Sequence, residues 1–154
     1  MEYNESEHLA TTFRWMAVIF WENAKTLDKE IERNEKGMPT KYTAIPYYYL
    51  ISHATELMLK TALLKRGVTK GQLRKFEYGH NLKNLLKGLL ELDLKISQST
   101  QEIIIGLNGQ HKDHSLRYEV LFNDDKQTFT PPSELLNGML DELLSLTRIA
   151  TQGK

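Results

Sequence analysis

Residues Thr43–Arg66 read TAIPYYYLISHATELMLKTALLKR, a stretch in which apolar residues recur at three- and four-residue steps. That period predicts an amphipathic helix. Pro46 is tolerated in its first turn, where a missing N–H costs no intrahelical hydrogen bond, and Gly67 is a normal C-terminal stop. The predicted core face consists of Leu50, Ala54, Leu57, Met58, Thr61 and Leu64.

The opposite side of this predicted helix carries a polar stripe: Tyr49, His53, Glu56 and Lys60. A histidine three residues from a carboxylate on one helix face can work as an acid–base pair. The same spacing suits a solvated face with a Glu56–Lys60 ion pair, worth only about 0.3–0.5 kcal/mol, or a structural polar network. We favour the solvated face or network and keep acid–base chemistry as the alternative.

A longer helical pattern precedes this stretch, from Ser6 to Asn34. Trp15, Val18, Ile19 and Trp21 lie off its inward stripe, so the middle of the helix is apolar nearly all round. Such a helix is either enclosed between layers or covered by a second subunit, and the homodimer that we expect would use this face. The inward stripe is predicted to be Phe13, Met16, Ala17, Phe20, Ala24, Leu27 and Ile31.

The C-terminal half contains three further helical patterns. A loop over 67–78 leads into a short helix over 79–92, and the capping-box spacing of Ser99 and Glu102 predicts the start of a fourth helix. Residues 116–130 alternate between apolar and polar and predict a small two-stranded hairpin or an extended excursion. Pro131 and Pro132 then precede a last helix that is expected to pack through Leu135, Leu136, Met139, Leu140, Leu143, Leu146 and Ile149.

About five helices joined mostly by short links predict an all-α, up-and-down bundle. The chain has 154 residues, of which 40% are hydrophobic and 26% charged, so residues 1–154 fit one globular domain. The absence of cysteine excludes a disulfide framework and suits the reducing cytoplasm, where we expect the protein to act. Met16–Trp21 is the longest apolar run and is too short to span a membrane.

Charge and motifs narrow the possible chemistry. The 20 basic and 20 acidic residues cancel, so nucleic-acid binding would need a local patch. No phosphate-binding loop or hydrolase motif is present, and we predict no cofactor. Two histidines three apart, His111 and His114, with Asp113 between them, lack a third placed ligand, and we predict no metal site.

Two more polar positions are candidates for a site. His80 follows Gly79 at the start of the third predicted helix, where capping that helix or bridging to another side chain is the default role. Arg117 stands beside apolar residues and requires a carboxylate, for which Glu56 and Asp113 are both candidates, or it clamps an anion such as a phosphate or an RNA backbone. Tyr118 follows it directly.

The segments His53–Lys60, Gly79–Leu82 and Leu116–Tyr118 together resemble a group of bacterial HEPN-like proteins, over roughly residues 45–122. This resemblance implies a five-helix bundle, often homodimeric, frequently in toxin–antitoxin or phage-defence settings. Some such proteins are metal-independent ribonucleases, whereas others are non-catalytic partners of nucleotidyltransferases or of nucleic-acid assemblies. Their catalytic motif is an arginine followed after four to six residues by a histidine, usually on the final helix and with a polar residue directly after the arginine.

Arg74 and His80 satisfy that spacing. However, Lys75 directly follows the arginine, and the pair spans a loop. The last helix contains Arg148 but no histidine. Our leading hypothesis is therefore a HEPN-like module that dimerises and binds a cognate protein or RNA. The alternatives are a metal-independent ribonuclease and a purely structural helical adaptor. The catalytic candidates are His80, His53, Arg117 and Arg74, and the binding candidates are Glu56, Lys60, His80, Arg117 and Tyr118.

Overall fold

The computed structural model describes residues 4–41, 44–75, 78–112 and 129–148. Within these ranges the regular structure is helical, with no sheet, so the predicted all-α bundle is confirmed. None of the described helices is long and apolar enough to cross a membrane. The helices are α1 (Glu5–Asp28), α2 (Ile45–Leu64), α3 (Lys70–Leu73), α4 (Leu82–Glu91), α5 (Gln98–Lys112) and α6 (Ser133–Leu146).

Helix α2 is the centre of the bundle and contacts α1, α4, α5 and α6. Its most extensive partner is α1, which buries Ala10, Ala17 and Ala24 at seven-residue intervals. Alanines in such a row let two helix axes approach closely, because no bulky side chain separates the backbones. Packed on several sides, α2 buries its predicted core face apart from Leu50, which is partly buried, and on the polar side opposite it buries Glu56 and partly covers Lys60.

Helix α1 differs from its prediction in its length and in which residues it buries. It ends at Asp28 instead of Asn34, because Arg33 donates hydrogen bonds to Asp28 and to the carbonyl of Gly37 and holds the following residues in a turn. The prediction that Met16 and Leu27 point inward is wrong, since they are 37% and 39% exposed. Trp21, predicted off the stripe, is buried.

The second half of the bundle also corrects the predicted boundaries. The loop over 67–78 contains the short helix α3, and α5 begins at Gln98, so the predicted cap at Ser99 is wrong. Ser97 is the capping residue instead: its hydroxyl accepts a hydrogen bond from the backbone N–H of Thr100. Glu142 of α6 in turn accepts hydrogen bonds from the Ser97 hydroxyl and backbone.

Helix α6 buries Leu136, Met139, Leu140 and Leu143 as predicted, whereas Leu135 is 49% exposed. The hairpin prediction over 116–130 falls almost entirely outside the described residues, as does Ile149.

Candidate functional site

The candidate site is a polar cluster around Glu56, in the second half of α2. The carboxylate is 2% exposed, and the Lys60 side chain one turn later is 14% exposed. The interpretation of this stripe as a solvated face is therefore wrong for Glu56 and Lys60. The physical reason is the central position of α2, which leaves that side covered by other elements.

Three side chains donate hydrogen bonds to the carboxylate of Glu56. Lys60 Nζ lies 2.6 Å from Oε1, and His111 Nε2 lies 2.6 Å from Oε2. His80 Nδ1 lies 3.2 Å from Oε1 and 3.1 Å from Oε2. The donors come from α2, from α5 and from the loop before α4, so the cluster joins three segments of the bundle.

The charge of the cluster follows from these contacts. Burial by itself raises the pKa of Glu56, but the hydrogen bond from His111 and the charge of Lys60 outweigh it and hold that pKa well below its usual range. The carboxylate is therefore ionised at neutral pH and can only accept hydrogen bonds. It follows that His111 carries a proton on Nε2 and His80 carries one on Nδ1.

His80 is the member of the cluster that reaches the surface. It directly precedes Asn81, whose side chain caps α4 by accepting a hydrogen bond from Asn84 N, so the predicted capping role belongs to Asn81. The predicted bridge from His80 to another side chain is present, and the bridge is to Glu56. The His80 side chain is 51% exposed, whereas the His111 side chain is 4% exposed. The two rings meet edge to face, with centroids 6.1 Å apart.

His53 shares the helix face of Glu56 but packs differently. Its ring stacks on Tyr49 at 6.1 Å and meets the ring of Phe20 edge-on at 4.7 Å. Burial lowers the pKa of His53, although the charge of Glu56 raises it in part. His53 is therefore an aromatic packing residue beside the cluster.

The remaining predicted site residues lie elsewhere. Arg74 is the exposed C-cap of α3; the pKa of Glu5 in α1 is lowered mainly by its ion pair with Lys70, and the charge of Arg74 adds to that effect. Arg117 and Tyr118 lie outside the described residues, so their roles stay predictions.

The sequence did not indicate His111 as a member of this cluster. Its three-residue spacing from His114 suggested a local metal-binding motif instead. The better signal was its helical register, because Ile104, Leu107 and His111 follow one another at steps of three and four and all three are buried. A histidine at the end of an apolar stripe requires a buried polar partner, and Glu56 is that partner.

This arrangement supports two kinds of chemistry. A buried carboxylate that fixes a half-exposed imidazole can orient it for proton transfer. Glu56, His80 and His111 also each offer one ligand atom, and these atoms lie within 4.8 Å of one another.

No protein-family model matches the chain, and comparisons with curated proteins and with solved structures returned no significant match. The HEPN-like resemblance thus stays a prediction.

Proposed function

We propose that this chain is a HEPN-like helical module that acts as a homodimer and binds RNA, in a toxin–antitoxin or phage-defence setting. The uncharged outer face of α1 carries the homodimer part of this proposal, whereas the HEPN-like class and the setting rest on the sequence resemblance. Trp15 is 70% exposed on this face, and Ile19, one turn further on, is 41% exposed. Large apolar side chains grouped on a surface favour burial against a partner.

The extent of this face supports a helix-to-helix contact. At 3.6 residues per turn, Trp15, Met16, Ile19 and Leu27 lie within an arc of roughly 120°. From Leu9 to Leu27 this arc contains no Asp, Glu, Lys or Arg. The same surface on two copies can therefore pack around a two-fold axis without opposing charges.

The polar residues within the arc already have hydrogen-bond partners in α1 itself. Thr12 donates to the carbonyl of His8, Asn23 to that of Ile19, and Thr26 to that of Glu22, at 3.0, 2.8 and 3.2 Å. Burying such side chains costs less than burying groups that would lose water without replacement.

Light scattering of the full chain across a concentration series tests the dimer. Ile19→Glu puts a charge into the centre of the proposed interface and is expected to give a monomer with an unchanged helical circular dichroism spectrum. Ile105→Glu is the matched control, because Ile105 is 50% exposed on α5, and it should leave the dimer intact. A wild-type monomer at the highest concentration contradicts the proposal.

RNA binding is supported by a cleft of 560 Å³ beside Trp15. Three cationic side chains line it: Arg14, Lys65 and Arg148. Arg14 is oriented by a 3.0 Å hydrogen bond to Thr147, and Lys65 pairs with Glu7. Guanidinium groups bind phosphate well, so these side chains support a local basic patch of the kind that a chain of zero net charge needs.

Fluorescence anisotropy with a labelled single-stranded RNA at two salt concentrations tests this part. Arg148→Glu is expected to weaken binding and to reduce its salt dependence. Lys87→Glu on α4, where the side chain is 73% exposed, is the control and should bind as the wild type does. Binding that neither variant changes, or no binding at low salt, contradicts RNA as the partner and favours a cognate protein.

A second candidate function, metal-independent RNA cleavage, is favoured by the contact between His80 and Glu56. The buried carboxylate orients a half-exposed imidazole, and Lys60 adds a positive charge that could act on a phosphate. Cleavage that persists in EDTA and is lost in a folded His80→Gln variant supports this candidate. Equal behaviour of the two proteins on all RNAs tested contradicts it.

A further inference from the structure

We propose that Glu56, His80 and His111 form a binding site for one divalent transition-metal ion, of which Zn²⁺ is the best match. Each residue offers one ligand atom, and the atoms lie within 4.8 Å of one another. No other group of three such ligands converges in the described ranges of the chain. The inference is independent of the dimer and of RNA binding.

The ligand types fit zinc. Two imidazole nitrogens and one carboxylate oxygen form a ligand set that zinc accepts when it keeps a further position for water. Glu56 and His111 are almost fully buried, whereas half of the His80 side chain is exposed. An ion could therefore enter from the His80 side, and a water molecule could complete the coordination there.

The distances are close to those of a zinc site but require an adjustment. Zinc bonds of about 2.0–2.1 Å in a tetrahedron place the ligand atoms roughly 3.3 Å apart. Oε2 of Glu56 lies 3.1 Å from His80 Nδ1 and 2.6 Å from His111 Nε2. Small outward movements of the two imidazoles would make room, and the ion would take the place of the protons that now lie between these atoms.

Lys60 determines which oxygen of the Glu56 carboxylate is available to the ion. Its ammonium binds Oε1 at 2.6 Å, which leaves Oε2 to the ion as a single ligand atom. A hydrogen-bonded outer partner of this kind fixes the orientation of a ligating carboxylate. The Lys60 charge also opposes a cation, so we expect zinc to bind less tightly here than at a site with two carboxylates.

Calorimetric titration of the EDTA-treated, dialysed full chain with ZnCl₂ tests the proposal. One ion per chain is expected, together with a zinc-dependent rise in the melting temperature. Co²⁺ should give a visible absorption spectrum typical of four or five ligands, since geometry determines that spectrum.

The variants separate this site from adventitious binding by surface histidines. His80→Asn changes a half-exposed residue, and it should lower zinc affinity by at least about tenfold while circular dichroism stays unchanged. His53→Phe is the matched control, because His53 lies on the same helix face outside the three ligands, and it should bind zinc as the wild type does. Absence of binding at millimolar zinc, or equal affinity in wild type and His80→Asn, overturns the proposal.

Discussion

Nε2 of His111 donates a 2.6 Å hydrogen bond to Oε2 of Glu56, and the two side chains are 4% and 2% exposed. The bond connects the end of α5 to the middle of α2. It therefore makes the polar cluster part of the core of the bundle, and the cluster's energetics can be measured through stability.

Replacing Glu56 by its neutral amide is expected to destabilise the fold strongly. Glu56→Gln leaves the Lys60 ammonium, 14% exposed, without its counter-charge. Loss of one partner from a buried ion pair costs about 3–5 kcal/mol. Urea unfolding measures this change, with Glu22→Gln as control, because the pair of Glu22 with Lys25 is exposed and worth at most about 1 kcal/mol. Equal free energies of unfolding in the two variants would contradict a buried ionic network.

Stability is expected to fall in acid through the same carboxylate. The pKa of Glu56 is lower in the folded than in the unfolded state, so the unfolded chain binds more protons at acid pH. The contribution of Glu56 is fully present above about pH 4.3 and is lost progressively below it. The difference in the free energy of unfolding between pH 7 and pH 4, measured in EDTA, should be smaller for Glu56→Gln than for the wild type. An unchanged difference would assign the acid sensitivity to other carboxyl groups.

A second pH effect is expected from His53, whose pKa is lowered by burial. The unfolded chain therefore takes up this proton first as the pH falls below about 6.5, and stability declines from there. His53→Phe keeps the aromatic contacts with Phe20 and Tyr49 but cannot titrate. The drop in melting temperature between pH 7.5 and pH 5.5, measured in EDTA, should be smaller for this variant than for the wild type. A loss as large as that of the wild type would mean that His53 is not the responsible group.

The start of α5 is expected to depend on Glu142 of α6. Its carboxylate accepts hydrogen bonds from Ser97 N and Oγ, both at 2.7 Å, and from Thr100 Oγ1 at 2.6 Å. Glu142→Ala leaves the buried Thr100 hydroxyl without a protein partner, which costs about 1–3 kcal/mol, whereas the donors of exposed Ser97 can bond to water. Asp141→Ala, an exposed neighbour on the same helix, controls for the change in composition and should unfold nearly as the wild type does. Similar denaturation midpoints for the two variants would show that water replaces Glu142.

Apolar periodicity was sufficient to predict the helices, because burial of one face imposes a repeat on a sequence whatever the neighbours are. It predicted α2, with Pro46 near its start and Gly67 just past its end, and it placed Glu56 and Lys60 on one helix face. It failed for α1, where Met16 was predicted to be buried but is exposed, and Trp21 was predicted to lie off the buried stripe but is buried. Both are large and apolar, and their exposure depends on which side of α1 faces α2.

The candidate site required the tertiary structure. The helical spacing singled out Glu56 and Lys60, and the position at a predicted helix start singled out His80, but nothing in the order of residues says that His111 meets them. The spacing of Glu56 and Lys60 on α2 would be the same whether the carboxylate were solvated or bound by three donors. Only the packing of α5 and of the loop before α4 against α2 decides between them, because electrostatic interactions depend on distance and on exclusion of water.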